Sequence, residues 1–90
     1  MKYLLPGSES KERVKLLLKL TKMNSEAVRS AVLDHLCKGH SERNTAELNG
    51  VPLQNFNRAM LRLNELAGVV EEIKALDWER FKSNQLSDDN

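Results

Sequence analysis

The sequence predicts an all-α fold, a small bundle of about five helices containing a helix-turn-helix. Three observations carry that expectation. Apolar residues recur at helical spacing in every segment and nowhere alternate with period two over a useful length. Asn24, Ser25 and Ser41 stand where helices start, and Gly39 and Gly50 stand where helices end. Aromatic residues make up only 4% of the 90, too few for the core of a β-sandwich. A chain this short is one domain with one core.

Pro6-Gly7-Ser8 reads as a turn that hands over to a first helix, roughly Ser10 to Lys22. Its Val14, Leu16, Leu17, Leu18 and Leu20 cover a wide arc, so this helix is buried on more than one side or also meets a partner. Asn24 or Ser25 caps the second helix, with Glu26 at the positive end of its dipole. Val28, Ala31, Val32, His35 and Leu36 form its inner face, and Lys38 and Gly39 end it. Ser41 caps a third helix running to about Asn49, which Gly50 breaks. Pro52 opens a fourth helix whose inner positions include Phe56, Ala59, Met60, Leu63, Leu66 and Ala67. Gly68 interrupts the pattern, and a further helix, or a kinked continuation, resumes from Val69 to about Phe81. Residues 1–82 are thus expected to form one helical domain. Residues 83–90, with Leu86 their only large apolar residue, are expected to form a flexible polar tail.

Composition excludes several classes. Fourteen Lys and Arg against thirteen Asp and Glu leave a formal charge of +1, unlike a polybasic chromatin binder or an acidic tail protein. A single cysteine, Cys37, makes no intrachain disulfide, which suits a reducing compartment. The apolar start stops at Pro6, too short for a secretory signal, and no run approaches a membrane span. The expectation is a cytoplasmic protein with no membrane partner.

The informative constellation is Glu42 to Leu63. Counting Glu42 as the first position, a helix-turn-helix needs a small residue at the fifth, where the helices touch, and Ala46 is there. It needs a glycine at the ninth, where the backbone turns left-handed, and Gly50 is there. Val51 plugs the turn, and Phe56 and Ala59 face inward. The eighth position, usually apolar, is Asn49, and a local shift that brings Leu48 inward would restore the pattern.

The outward side of the following helix carries Gln54, Arg58, Leu61, Arg62 and Glu65, with Asn55 and Asn57 at its flanks. Asn and Gln make bidentate bonds to adenine, and Arg to guanine, in a major groove. Lys38, His40 and Arg43 gather where the second helix ends and the third begins, a corner that meets phosphates in this motif. Ser41 adds the unpaired N–H groups of a helix start.

Other chemistry is weak. His35 and Cys37 stand two apart on a helix, facing about 200° from each other, and no further ligands complete a zinc site. No glycine-rich phosphate loop, nucleophile elbow or paired acid and base is present, so neither an enzyme nor a cofactor is expected, and no effector pocket is legible. Apolar residues on two sides of the last helix, Val69, Ile73 and Leu76 on one and Val70, Trp78 and Phe81 toward another, exceed what so small a monomer covers. With Leu16 and Leu20 of the first helix they are the expected homodimer interface.

Leu4-Leu5-Pro6-Gly7-Ser8, Gly39-His40-Ser41, Phe56 and Arg62-Leu63 together resemble the PapB family of adhesin-biosynthesis transcription regulators, over roughly Leu4 to Leu66. The resemblance implies an all-helical DNA-binding protein that acts on fimbrial promoters, often with several copies assembling along A/T-rich double-stranded DNA. It also implies a kinship of fold with plasmid repressors that carry a similar helix-turn-helix, and it does not extend to Val69–Phe81. The rival reading is a small helical protein-interaction module with no DNA contact, which the leucine-rich first helix and near-zero net charge favour. Charge is unevenly spread, however. Residues 1–45 hold nine basic and five acidic side chains and residues 46–90 five and eight, a basic half (+4) and an acidic half (−3) behind the total of +1. Such asymmetry suits a domain that offers one side to DNA.

Overall fold

A computed structural model describes residues 3–88 of the chain, with side chains through Ser83. Four helices account for it: α1 (Lys11–Thr21), α2 (Glu26–Lys38), α3 (Glu42–Leu48) and α4 (Leu53–Asp88). No strand occurs among the described residues. Three serines start three of the helices in the same way. Ser10, Ser25 and Ser41 sit in extended backbone, and their hydroxyls accept from the amides of Arg13, Val28 and Asn44. Each cap satisfies one of the N–H groups that a helix start leaves unpaired.

The helix count differs from the expected five because Gly68 does not interrupt α4. A glycine inside a helix costs about 1 kcal/mol relative to alanine, which weakens a helix without ending it. Here the missing side chain makes room for Tyr3: a Cβ at Gly68 would stand 2.8 Å from Tyr3 Cε2. The Tyr3 amide donates to Asn64 Oδ1 at 2.7 Å, one turn earlier on α4, and holds the ring in place. Nor does α4 end at Phe81. Lys82 to Asp88 contains neither glycine nor proline, and residues 83–88 of the expected polar tail continue the helix; residues 89–90 lie outside the described residues.

All four helices contribute to one core. Val14, Leu17 and Leu18 of α1 meet Ala31, Val32 and Leu36 of α2, Ala46 of α3, and Phe56, Leu63 and Ala67 of α4, with Leu4 added by the N-terminal segment. The fully buried contribution of α4 stops at Ala67 and Gly68, and from Glu72 onward its described side chains are exposed. The molecule is accordingly elongated, 59 × 22 × 22 Å, with half of one helix standing beyond the bundle.

The two short motifs of the N-terminal half touch each other. Gly7, at φ +75°, and Gly39, at φ +83°, approach so closely that a Cβ on either would lie 3.2–3.3 Å from the other's Cα. The His35 carbonyl accepts from both amides, Gly7 at 3.3 Å and Gly39 at 3.2 Å, and the Leu36 carbonyl accepts from Glu9 at 3.1 Å. Arg13 completes the attachment, bonding Glu9 Oε1 at 2.7 Å and Glu71 Oε1 of α4 at 3.2 Å. This strap holds the end of α2, and with it the start of α3, against α4.

Candidate nucleic-acid interface

The α3–turn–α4 unit follows the spacing read from the sequence. Gly50 takes φ +65° with open space around its Cα, so the glycine serves backbone conformation and nothing else. Its amide donates to the Glu47 carbonyl at 3.2 Å, and that of Val51 to the Ala46 carbonyl at 2.9 Å. Ala46, Val51, Phe56 and Ala59 are all buried. The Pro52 carbonyl accepts from Phe56, so proline stands at the cap of α4, where its missing N–H costs nothing.

The expected inward shift of Leu48 does not occur: it is 73% exposed. Asn49 occupies the turn itself and replaces apolar packing with hydrogen bonds, donating from Nδ2 to the Thr45 carbonyl at 2.8 Å and to Asp34 Oδ2 at 3.1 Å. Asp34 on α2 also faces Lys38 Nζ at 3.4 Å. The Asn49 hydrogen bond, and secondarily Lys38, hold the Asp34 carboxyl below the usual aspartate value against the opposing effect of burial. The Asp34–Asn49 link therefore fastens the turn to α2. Sequence reasoning missed Asp34, although a polar residue at an apolar position of the motif is itself a signal that an acceptor must be nearby. Neighbouring Thr45 is fully buried, and its Oγ1 has no hydrogen-bond partner among the described residues.

Gln54, Asn55, Asn57, Arg58 and Arg62 are all exposed on the first three turns of α4, but they do not form one cluster. At about 100° per residue, Gln54 and Arg58 lie near the middle of the outward side, Asn55 and Arg62 on one flank and Asn57 on the other. Arg62 is engaged with Glu65 at 3.6 Å on the surface. Asn57 turns toward α3, where with Leu61 it lines a groove of about 370 Å³ closed by Leu4, Pro6, Met60, His35 and Glu42. That groove, built from three distant stretches of chain, was not legible in the sequence.

At the α2–α3 corner, Lys38, His40, Ser41 and Arg43 are exposed. Lys38 shares its ammonium with Asp34, and Ser41 Oγ is occupied as the cap of α3. His35 belongs to the core rather than the surface. Its ring is buried edge-on against Phe56 at 5.6 Å, and Nδ1 donates to the His40 carbonyl at 2.7 Å. His35 thereby sets the backbone path into the corner. Among the described residues no group of three His, Cys, Asp or Glu side chains is placed to hold a metal ion.

Of the expected interface residues, Leu16, Leu20, Val69, Ile73, Leu76, Trp78 and Phe81 are exposed. Trp78 and Phe81 stack on each other at 5.6 Å. Val70 differs: it is partly buried and packs on the core of its own chain. No described helix is long and apolar enough to cross a membrane.

With this geometry in place, the whole arrangement has a counterpart among solved structures. The fold matches that of Escherichia coli FocB. The crystal structure of FocB superposes with a TM-score of 0.75 at 29% identity, covering 81% of this chain and 83% of FocB. No family model matches the chain. No curated protein sequence matches it either.

Proposed function

We propose that the chain is a DNA-binding transcription regulator of fimbrial operons, acting in the cytoplasm as a dimer or higher oligomer on A/T-rich double-stranded DNA. The observation that carries this reading is the α3–Gly50–α4 unit, braced by Asp34–Asn49 and by the N-terminal strap, with Gln54 and Arg58 free on the outward side of α4. A recognition helix needs both features: side chains able to read base edges, and a support that holds them in place. The PapB-type resemblance of the Leu4–Leu66 stretch and the likeness to FocB support the same class.

In this reading Gln54, Asn55, Arg58 and Arg62 face the bases, and Asn57 borders them at the groove. Lys38, His40, Ser41 and Arg43 meet phosphates. Lys38 exchanges its contact with Asp34 for a phosphate oxygen, a trade between two exposed ion pairs. The modest basic excess of the N-terminal half implies weak binding per subunit, and self-association through the exposed apolar side chains of α1 and α4 compensates by joining several weak sites.

A gel shift on A/T-rich promoter DNA at two salt concentrations tests the reading. Binding should fall steeply with salt, as counterion release requires. The exposed Leu16, Leu20, Ile73 and Leu76 favour the rival reading of a protein-interaction module. No shift at either salt concentration would decide for that rival.

A further inference from the structure

Among the described residues, three of the apolar side chains that α4 exposes beyond its last core contacts form a line, apart from the stacked Trp78 and Phe81. Val69 and Leu76 are seven residues apart with Ile73 between them, so the three lie along one side of an uninterrupted helix. Ile73 is 52% and Leu76 67% exposed. Opposite charges bound this stripe: Glu65, which also meets Arg62 of its own chain at 3.6 Å, stands four residues before Val69, and Arg80 four residues after Leu76. The stripe lies about 130° round the helix from the line of Phe56, Leu63 and Ala67, so α1–α3 leave it open.

We propose that the stripe is a contact between two copies of the chain, crossing antiparallel about a two-fold axis beside Ile73. The proposal rests on the self-association in the function proposed above and gives it a surface, a direction and a register. Across an antiparallel two-fold, the placement that sets Val69 against Leu76 of the partner subunit also sets Glu65 against Arg80 of the partner subunit. Two apolar contacts and two ion pairs form together, one of each on either side of the axis. A parallel pair would set Glu65 on Glu65 and Arg80 on Arg80 and would align the two helix dipoles. Exposed ion pairs contribute little attraction individually. The apolar stripe supplies the association, therefore, and the charges select its direction. Glu65 and Arg80 are about 22 Å apart along α4, a length over which both contacts act on one straight pair of helices.

Sedimentation equilibrium of charge-reversed chains tests the pairing. Glu65→Arg and Arg80→Glu should each weaken the dimer about tenfold, because two attractive contacts become repulsive in each. The double variant should return to within about threefold of the wild type, since both pairs reform with signs exchanged. A double variant no tighter than the single ones overturns the register. In a Cys37→Ser background, oxidation should link Val69→Cys chains to Leu76→Cys chains in mixture, and link neither to itself; self-linking of Val69→Cys chains overturns the antiparallel direction. Ile73→Asp should give monomers with an unchanged helical circular dichroism spectrum. Wild-type protein that stays monomeric at tens of micromolar overturns the pairing and the self-association beneath it. DNA reading is measured separately, by gel shift of the wild type. Loss of the pairing with the shift intact overturns this inference alone, and charge rescue without any shift supports it while overturning the DNA reading.

Discussion

Gly39→Ala isolates the contact between the two glycine turns that positions the α2–α3 corner. Gly39 sits at φ +83°, where an alanine costs about 1–2 kcal/mol in the folded state. Alanine also restricts the unfolded chain, which returns about 0.4–1 kcal/mol and leaves a net conformational cost near 1 kcal/mol. The second contribution is steric. The new Cβ would stand 3.3 Å from Gly7 Cα, and Gly7 has little freedom to retreat, because its amide is bonded to the His35 carbonyl and it is itself at φ +75°. Backbone pressed against backbone adds about another 1 kcal/mol, the low end for overpacking. Gly50→Ala is the natural control, since Gly50 has φ +65° and open space where its Cβ would go. It should carry the conformational cost only.

Urea unfolding followed at 222 nm, at a fixed protomer concentration, reads the comparison. Gly39→Ala should lose about 2 kcal/mol and Gly50→Ala about 1 kcal/mol, seen as lower midpoints with unchanged slopes. In a domain of this size the larger loss is a substantial fraction of total stability. A Gly39→Ala variant no less stable than Gly50→Ala would refute the reasoning, because the close approach of the two turns would then carry no energetic weight.

Thr45→Val should stabilise the protein by about 1 kcal/mol in the same assay, since it replaces a fully buried hydroxyl, without a hydrogen-bond partner among the described residues, by a methyl group of similar shape. Asp34, whose folded-state pKa is lowered, adds stability that is complete above the ordinary aspartate range and is lost as pH falls through its folded value. The stability gap between wild type and Asp34→Asn should therefore be widest near neutrality and narrow in acid, as a urea series across pH will show. Gly68→Ala should be close to neutral, the helical gain of about 1 kcal/mol being offset by displacement of the Tyr3 ring; in a Tyr3→Ala background the same substitution should stabilise by that amount in thermal or urea unfolding. For DNA, Arg58→Ala should cost about 1–3 kcal/mol and relax sequence preference, whereas Lys38→Ala should weaken all sequences alike and lower the salt slope by about one, both measured by titrated gel shifts.

What the sequence made legible was local. Helix starts were readable because a serine hydroxyl reaches an amide three residues on, and the turn at Gly50 because its conformation excludes side chains. The inner face of α4 followed from spacing, and Phe56 and Leu63 are indeed fully buried. What escaped depended on residues far apart in the chain. Gly68 reads as a helix break until Tyr3, at the other end of the sequence, is seen to lie over it. Asn49 reads as a defect until Asp34, on another helix, is seen to accept from it. Val70 counts as surplus only while Gly68 is read as a break; on the continuous α4 it falls about 40° from the line of Phe56, Leu63 and Ala67, and it packs on the core. The candidate site was half legible for the same reason. Residue types and exposure were readable from α4 alone, but the groove that Asn57 lines required α3 and the N-terminal strap.

The absence of a break at Gly68 matters beyond the helix count. Two separate helices would let the Gln54–Arg62 end and the apolar end turn independently, and the proposed self-association could not orient the proposed DNA reading. One continuous α4 couples them, because rotation about a helix is fixed at about 100° per residue. Asn55, Arg62, Val69 and Leu76 recur every seven residues, so the flank that carries Asn55 and Arg62 runs directly into the apolar stripe. The weakest point on that line is the glycine, and there the Tyr3 ring fills the side-chain gap while the Tyr3 amide holds Asn64. A bend at Gly68 would have to displace both. Tyr3 thus acts as a splint on α4, and in the proposed dimer the way two copies meet would dictate the angle at which each presents Arg58 and Gln54.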